Sequence, residues 1–333
     1  MKKIRLLVTA LFAVIALTSC SVVSTGRDSE KLVLTLGHSY GTDSLPNRAA
    51  ELYSKKVKEA TEGKVEIRVF PSSQLGSWEE MQEGLELETM DALIESVGTL
   101  ERYTPLASIE GVPFLYSDTD HLFRVWDSDL GQDILDRLEK ETGFKLLGRM
   151  YFGQRILNTS RPIKNLEDLK GLKLRVPPQK TYIDTWKALG ASPTPMSLDE
   201  TFSAIEQGVV EGQENPVDVA RFDSFYEVAP NITRTNHLMG NMHFQFWSHK
   251  FNSYSPDVQK VLKEKADEVS VWYRETALKE EQENEEFLRK HGTKFYDVDR
   301  DQWKERVSTI YQHLDPQVAA WVKQIQRMDK RNG

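Results

Sequence analysis

Cysteine is almost absent from this chain: Cys20 is the only one among 333 residues. A disulfide framework is therefore excluded, and so is a cysteine nucleophile after residue 20. The seven histidines are scattered without metal-ligand spacing. The short motifs of nucleotide-binding proteins, serine hydrolases and zinc proteases do not occur. We predict no metal, no other cofactor and no catalysis, with an exported enzyme acting on organic acids as the alternative.

The chain also lacks a hydrophobic run long enough to cross a bilayer near its start. The apolar stretch LLVTALFAVIAL, at 6–17, follows a basic beginning and has the length of a secretory signal. Small residues then precede Cys20, a placement that resembles the signal peptides of bacterial lipoproteins. We predict a leader at 1–19, a lipid on Cys20, a flexible tether at 20–30, and a location in the periplasm or at the cell surface. A plain signal peptide is the alternative.

Basic residues are outnumbered, with 43 Lys and Arg against 51 Asp and Glu, a formal charge of −8. The predicted leader contains three basic residues and no acidic one, so its removal changes the charge to −11. An acidic body argues against nucleic acid or an anionic membrane surface as a partner. An anionic ligand would have to be held by a few local groups.

Strand-like and helical patterns alternate along the chain. The stretch 31–39 is apolar like a buried strand, 45–63 has helical spacing that stops at a glycine, and 64–76 alternates before a proline and two serines. The same rhythm resumes after residue 145. This order predicts an α/β fold with a mostly parallel sheet, and the length suggests about two domains.

One segment breaks that rhythm. Ser255 and Pro256 form a helix start, and no strong stop follows until Gly292. A continuous helix over this stretch would be roughly 50 Å long. The run KEEQENEE, at 279–286, is polar all round, as expected where a helix crosses between two lobes. Two helices with an unmarked break are the alternative.

Several motifs together resemble the substrate-binding proteins of tripartite ATP-independent periplasmic (TRAP) transporters, a family of dicarboxylate and sialate receptors. The resemblance extends from about Leu32 to the end of the long helical segment. The motifs that carry it are VFPSSQLG at 69–76, GVPFLY at 111–116, GQR at 153–155, RPIKNLEDLKGLKLRVP at 161–177, GASPTPMS at 190–197 and GVVEGQENP at 208–216.

The resemblance implies a two-lobed periplasmic binding protein fold, similar to type II, with the long helix spanning both lobes. The implied first lobe comprises 31–152 and 241–280, and the second comprises 153–240 and 281–330. It also implies that the receptor closes on a small organic acid and delivers it to the small and large membrane subunits of a transporter. Its only other contact with the membrane would be the lipid on Cys20.

Arg175 is the strongest candidate for a ligand contact. Alternation in LKLRV places it opposite Leu174, at the end of a strand before two prolines. Ligands of open α/β sheets bind outside the carboxyl ends of strands, and a guanidinium holds a carboxylate through two hydrogen bonds. A solvent-facing arginine is the alternative. By resemblance, Arg155 and Asn215 contact the same ligand, although Arg155 would also suit an acidic partner and Asn215 a turn.

Glu95, at the end of the apolar run LIESVG, matches a position where some family members accept hydrogen bonds from ligand hydroxyls. An exposed carboxylate at a strand end is the alternative. His38 and Ser39 follow the first strand and are placed to face the cleft, although a single histidine is more often structural. Two departures, Pro178 and Leu198, weaken any transfer of sialate specificity.

Two arginines and one asparagine suit a single carboxylate, whereas Glu95 would repel a second one and suits hydroxyls. We therefore predict a hydroxylated monocarboxylate, such as a hexuronate or an aldonate. A C4-dicarboxylate or a sialate is the alternative ligand. A receptor for a sensor kinase, or for an ATP-driven importer, is the alternative role.

Overall fold

The computed structural model describes residues 31–329, so the predicted leader, Cys20 and the tether lie outside the described residues. The strands are β1 (Leu32–Gly37), β2 (Val65–Phe70), β3 (Ala92–Ser96), β4 (Phe144–Thr159), β5 (Lys173–Val176), β6 (Ser192–Pro195), β7 (Gly212–Asn215), β8 (Asn231–Trp247) and β9 (Lys294–Asp297). The α-helices are α1 (Leu45–Ala60), α2 (Trp78–Glu86), α3 (Thr119–Trp126), α4 (Asp129–Thr142), α5 (Lys180–Leu189), α6 (Leu198–Glu206), α7 (Val217–Phe222), α8 (Phe225–Val228), α9 (Ser248–Ser253), α10 (Pro256–Lys290), α11 (Arg300–Arg306) and α12 (Pro316–Arg327).

The strands form one mixed sheet in the order β2-β1-β3-β8-β4-β7-β5-β6, with β9 beside β8. The outer pairs β1–β2, β1–β3, β5–β6, β5–β7 and β8–β9 are parallel. The long strands β4 and β8 pair antiparallel with each other and with their flanking strands β7 and β3. The predicted α/β class is confirmed, and antiparallel pairing is confined to the centre.

Strands β4 and β8, of 16 and 17 residues, form a ribbon that runs from one half of the sheet to the other. One end of β8 pairs with β3 and its other end pairs with β9. Register shifts interrupt the ribbon near its middle, where Gly153 has a φ of +106°. Only a residue tolerant of positive φ fits there, and a β-carbon at Gly153 would lie 3.0 Å from Pro216. The ribbon therefore bends where the two lobes meet.

Separate hydrophobic cores cover the two halves of the sheet. On the first half, α1 and α10 pack on one face, where Tyr53 stacks on Phe244 with 4.1 Å between ring centroids, and α2, α4 and α12 pack on the other. On the second half, α5 and α11 meet around Trp186 and Trp303. Such cores let each half keep its shape if the ribbon between them flexes.

Helix α10 is a single helix of 35 residues, so the predicted long helix is confirmed and the broken one is wrong. Ser255 caps it, accepting a hydrogen bond from the Val258 N–H. The polar run at 279–286 is held by charge pairs to other elements: Glu280 accepts from Arg48 on α1, and Glu285 accepts from Arg234 on β8. A helix that buries few apolar side chains over this stretch is thus fixed to both halves of the sheet.

Helix α12 lies on the first half of the sheet. Its residues Trp321 and Ile325 are buried in the same core as Ile109 and Leu122, and the Ile325 carbonyl contacts the buried His121 ring at 2.8 Å. The predicted boundaries placed 281–330 in the second lobe. Those boundaries stay a prediction, while α12 packs in the core of the first half of the sheet.

No helix within residues 31–329 combines the length and apolar character needed to cross a bilayer.

Asp218 is a buried carboxylate where α7 meets α1 and α10. Within the described part of the chain, neither of its oxygens has a hydrogen-bond partner of normal geometry. Burial, reinforced by the nearby charge of Asp223, raises the pKa of Asp218 to about 7. The Arg48 guanidinium offsets part of this effect. Asp218 is therefore charged above pH 7 only at a cost in stability.

We expect Asp218→Asn to raise the free energy of unfolding at pH 8 by about 2–3 kcal/mol. A carboxyl that titrates near 7 rather than at 3.8 is destabilised in its charged form by about 4 kcal/mol, and the cost of burying an amide without a hydrogen-bond partner subtracts from that gain. Because the folded-state pKa is the higher one, the wild type loses stability between about pH 4 and 7. Denaturant unfolding at pH 5 and pH 8 measures both values.

The gain from Asp218→Asn should be smaller at pH 5 than at pH 8. Asp43, exposed in the loop before α1, provides the matched control, and Asp43→Asn should change stability by less than about 0.5 kcal/mol. Equal stability of the wild type and Asp218→Asn at pH 8 would contradict this account of the junction.

Candidate functional site

A cavity lies where strands β1, β3, β5 and β7 end, at their carboxyl edges. It holds about 430 Å³ of space free of protein atoms, its open mouth included. The position agrees with the general rule that ligands of open α/β sheets bind outside the strand ends. The lining residues are Ser39, Tyr40, Trp78, Glu95, Ser96, Thr99, Phe152, Arg155, Arg175, Pro177, Gln179, Tyr182, Leu198 and Asn215.

Arg175 lies in this cavity with only 3% of its surface exposed, so the solvent-facing alternative is wrong. Its Nε donates to the Met196 carbonyl at 2.9 Å, which fixes the plane of the guanidinium. Within residues 31–329 it forms no ion pair, and its two terminal amino groups donate to no protein acceptor. Burial lowers the pKa of Arg175 to about 10, so the side chain stays charged at neutral pH. A buried, unpaired cation requires an anion.

Arg155 also lines the cavity, but it has an anionic partner within the chain. Its Nε and Nη2 donate to the two carboxylate oxygens of Glu214 at 2.6 and 2.8 Å, and Nη2 also reaches the Glu214 carbonyl. Its guanidinium lies 5.2 Å from the centroid of the Tyr182 ring. The prediction left open a ligand contact or an acidic partner for Arg155. The acidic partner is present and buried, and Nη1 donates to no acceptor among the described residues.

Glu214 is a residue that sequence reasoning missed. Burial alone would raise its pKa, but the charge of Arg155, together with hydrogen bonds from Arg155 and His237, lowers the pKa of Glu214 to about 2. The His237 Nε2 lies 3.1 Å from Glu214 Oε2. This buried pair holds Arg155 beside Arg175, so the two guanidinium groups share one side of the cavity.

Asn215 follows Glu214 and lines the same side. Its Nδ2 donates to Gln213 Oε1 at 2.8 Å, which fixes the amide, and its oxygen accepts no hydrogen bond among residues 31–329. Asn215 pairs with Ile156 of β4, so it belongs to the sheet, and the turn alternative is wrong.

Glu95, on the side contributed by β3, is buried rather than exposed, which contradicts the surface alternative. Its Oε1 accepts from the Ser96 N–H at 2.8 Å and from the Tyr40 hydroxyl at 3.3 Å. Burial raises the pKa of Glu95 to about 7 despite these hydrogen bonds and the charge of Arg155. The cavity thus has a cationic side at Arg175 and an acceptor at Glu95.

Ser39 and His38, which follow β1, have different surroundings. Ser39 lines the cavity, and its buried hydroxyl has no hydrogen-bond partner among residues 31–329. His38 does not reach the cavity, which corrects the prediction. Its ring is fully buried between Asn47 Oδ1, at 3.1 Å from Nε2, and the Tyr40 N–H, and burial lowers the pKa of His38 to about 4. A neutral ring with both nitrogens engaged anchors α1 to the strand end.

Aromatic residues that sequence reasoning did not select form much of the wall. Trp78 is the first residue of α2. The capping box that Ser77 forms with Glu80 could have predicted this helix start from the sequence. Tyr40 and Phe152 meet edge to face, with 5.5 Å between ring centroids. Of the two departures from the family pattern, Leu198 lines the cavity whereas Pro178 is exposed and does not. The side chain of Ser197, which precedes α6, forms no capping hydrogen bond with that helix.

Hydrogen bonds join the two predicted lobes beside residues that line the cavity. Thr181 Oγ1, next to Tyr182 on α5, donates to Glu101 Oε1 at 2.9 Å. The Gly41 N–H, next to Tyr40, donates to Asp223 Oδ1 at 3.1 Å. Such contacts hold the side chains around the cavity close together, so a ligand within it is reached from both lobes.

Known proteins were compared with this sequence and this fold. The model of the family described as bacterial extracellular solute-binding protein, family 7, matches residues 36–317. The sialic acid-binding periplasmic protein of Vibrio cholerae is 28% identical over 318 residues, which cover 96% of this chain and 97% of that protein.

Solved structures agree in fold over nearly the whole length. A TRAP periplasmic solute-binding protein of Roseobacter denitrificans with bound L-galactonate has a TM-score of 0.85 and 27% identity, covering 89% of this chain and 99% of that one. Another, of Pseudomonas putida with bound D-glucuronate, has a TM-score of 0.86 and 26% identity, covering 91% and 99%. With the two-lobed fold and the cavity, these matches show that the chain belongs to bacterial extracellular solute-binding protein family 7 and is a periplasmic solute receptor of the TRAP type.

Proposed function

We propose that this receptor binds a sugar acid, a hexuronate or an aldonate, with its carboxylate on Arg175 and its hydroxyls toward Glu95. The observation that carries the proposal is the contrast between two buried arginines. Arg155 is paired with Glu214, whereas Arg175 has no anionic partner among the described residues. A ligand carboxylate supplies that partner, with Asn215 and Nη1 of Arg155 beside it.

Glu95 sets the character of the other end of the ligand. With a pKa of about 7, Glu95 is partly ionised at neutral pH, and its ionised form only accepts hydrogen bonds, suits hydroxyls and repels a second carboxylate. The ligands of the two solved relatives, L-galactonate and D-glucuronate, support this choice because both are hydroxylated monocarboxylates. A C4-dicarboxylate would bring a second carboxylate toward Glu95, where the two charges repel each other.

A sialate is the second candidate, favoured by the relative from Vibrio cholerae. Against it stands Leu198 in the cavity wall, where the family pattern has an aromatic residue. We therefore rank the smaller sugar acids first.

A thermal-shift panel tests the ligand class. D-glucuronate, D-galacturonate and L-galactonate should each be compared with succinate, malate and N-acetylneuraminate. Ligand at a hundredfold excess over its Kd stabilises the folded state by about 2.7 kcal/mol, enough to raise Tm by several degrees. We expect that rise with at least one of the sugar acids. A rise confined to succinate and malate would reject the proposed ligand class.

We also propose that the receptor delivers its ligand to the small and large membrane subunits of a TRAP transporter and is held near them by a lipid on Cys20. Family membership supports the first part, and the small residues before Cys20 support the second. Cell fractionation tests the anchor: the full chain should sediment with membranes, and Cys20→Ser should be released. Release of both chains would reject the anchor and leave the receptor role intact.

A further inference from the structure

Gln179 is a buried amide in the cavity whose side chain forms no hydrogen bond within residues 31–329. It lies at the start of α5, directly after Pro177 and Pro178, and only 5% of it is exposed. The backbone of Gln179 is engaged, since its N–H donates to the Pro177 carbonyl at 2.7 Å and its carbonyl accepts from the Ile183 N–H at 3.1 Å. The side chain does not cap the helix that it precedes.

The oxygen of this amide is fully buried and has no partner among residues 31–329. It lies against Gly98 on the first-lobe side, where a β-carbon would approach it to 2.7 Å unless the Gln179 side chain shifted. The Gly98 N–H is already bound to Glu110 Oε2 at 2.6 Å. A buried carbonyl oxygen without a partner is costly, by about 1–3 kcal/mol.

The neighbours of Gln179 in the cavity do not satisfy it either. Thr99 accepts from Gln82 at 2.9 Å and donates to the Ser96 carbonyl at 2.7 Å, so its hydroxyl hydrogen is already used. Ser39 also lines the cavity, and its buried hydroxyl has no partner among residues 31–329. The groups in the cavity that lack a partner among the described residues thus include the terminal amino groups of Arg175, the Ser39 hydroxyl and the Gln179 amide oxygen, beside Nη1 of Arg155 and the oxygen of Asn215.

An amide oxygen accepts a hydrogen bond and cannot donate one. The group that satisfies it must be a donor, which a hydroxyl is, while an ionised carboxylate and a methylene are not. We propose that Gln179 is a specificity-determining residue whose Oε1 accepts a hydrogen bond from a ligand hydroxyl remote from the carboxylate. The inference rests on the proposed function and adds the group that selects polyhydroxy acids against dicarboxylates and unsubstituted acids.

Isothermal titration calorimetry with Gln179→Met tests the inference, because Met keeps the length of the side chain and removes its hydrogen bonds. The probes are D-glucuronate, L-galactonate and the single-deoxy analogues of whichever binds more tightly. For the wild type, one analogue should bind about 10- to 100-fold more weakly than its parent. For Gln179→Met, the parent should be weakened by a similar factor and that one analogue should lose nothing further.

This loss of discrimination at one hydroxyl is a readout that a general loosening of the cavity would not produce. Gln302→Met, on the exposed face of α11, is the matched control and should bind like the wild type. Gln179→Leu repeats the test if the Met variant unfolds. An equal penalty for every deoxy analogue in the wild type and in both variants would overturn the inference alone. Failure of the wild type to bind either parent would overturn the proposed function and this inference together.

Discussion

Replacing Arg175 by alanine is expected to raise the Kd for the receptor's sugar acid about 30-fold to several-thousand-fold. Losing one partner of a buried, hydrogen-bonded charge pair costs about 2–5 kcal/mol. The cost applies because no other described group takes the place of Arg175. Arg155 has two of its nitrogens on Glu214, and only Nη1 can reach toward the ligand. Calorimetric titration with D-glucuronate or L-galactonate measures the change.

Two further variants are needed to interpret the Kd of Arg175→Ala. Arg175→Lys keeps the charge but not the paired donors, so it should bind more weakly than the wild type and more tightly than the alanine variant. Arg161→Ala is the matched control, since Arg161 pairs with Glu211 at 2.9 Å away from the cavity with 40% of its side chain exposed. An unchanged Kd for Arg175→Ala would remove Arg175 from the site, whatever the fold.

Features that depend on neighbours along the chain could be predicted from the sequence. The start of α10 is set by Ser255 and Pro256, which need no distant partner. The place of Arg175 at a strand end follows from alternation and two prolines, and a strand end of a parallel sheet faces the ligand side in general. The resemblance to TRAP receptors then indicated Glu95 and Asn215 as ligand contacts, and both line the same cavity.

Features that depend on distant partners could not be predicted. Arg155 and Glu214 are 59 residues apart, and no local pattern links them. His38 follows β1 as Ser39 does, but Asn47 on α1 holds its ring away from the cavity. Gln179 resembles an ordinary loop residue until the fold places its oxygen against Gly98. Which side chains pair across the cavity depends on how the folded lobes lie against each other, and no local sequence pattern predicts it.

The second large effect is expected on stability: Glu214→Gln should lower the free energy of unfolding by about 3–5 kcal/mol. Removing one partner of a buried ion pair leaves the other charge uncompensated, and here both side chains are almost fully buried, with 7% of Arg155 and none of Glu214 exposed. Denaturant unfolding at pH 7 measures the loss. Glu211→Gln, in the half-exposed pair with Arg161, should cost at most about 1 kcal/mol.

The pH dependence of the free energy of unfolding tests whether the charge of Glu214 causes this loss. The pKa of Glu214 is lowered from 4.5 to about 2 in the folded chain, so its contribution is complete above about pH 5 and is lost as the pH falls toward 2. The difference in the free energy of unfolding between the wild type and Glu214→Gln should therefore become smaller as the pH falls. Replacing both partners, as Arg155→Met with Glu214→Gln, should recover part of the stability because no buried charge is then left alone. A double variant as unstable as the sum of the two single ones would show that the two residues act independently and that Glu214 does not hold Arg155 in place.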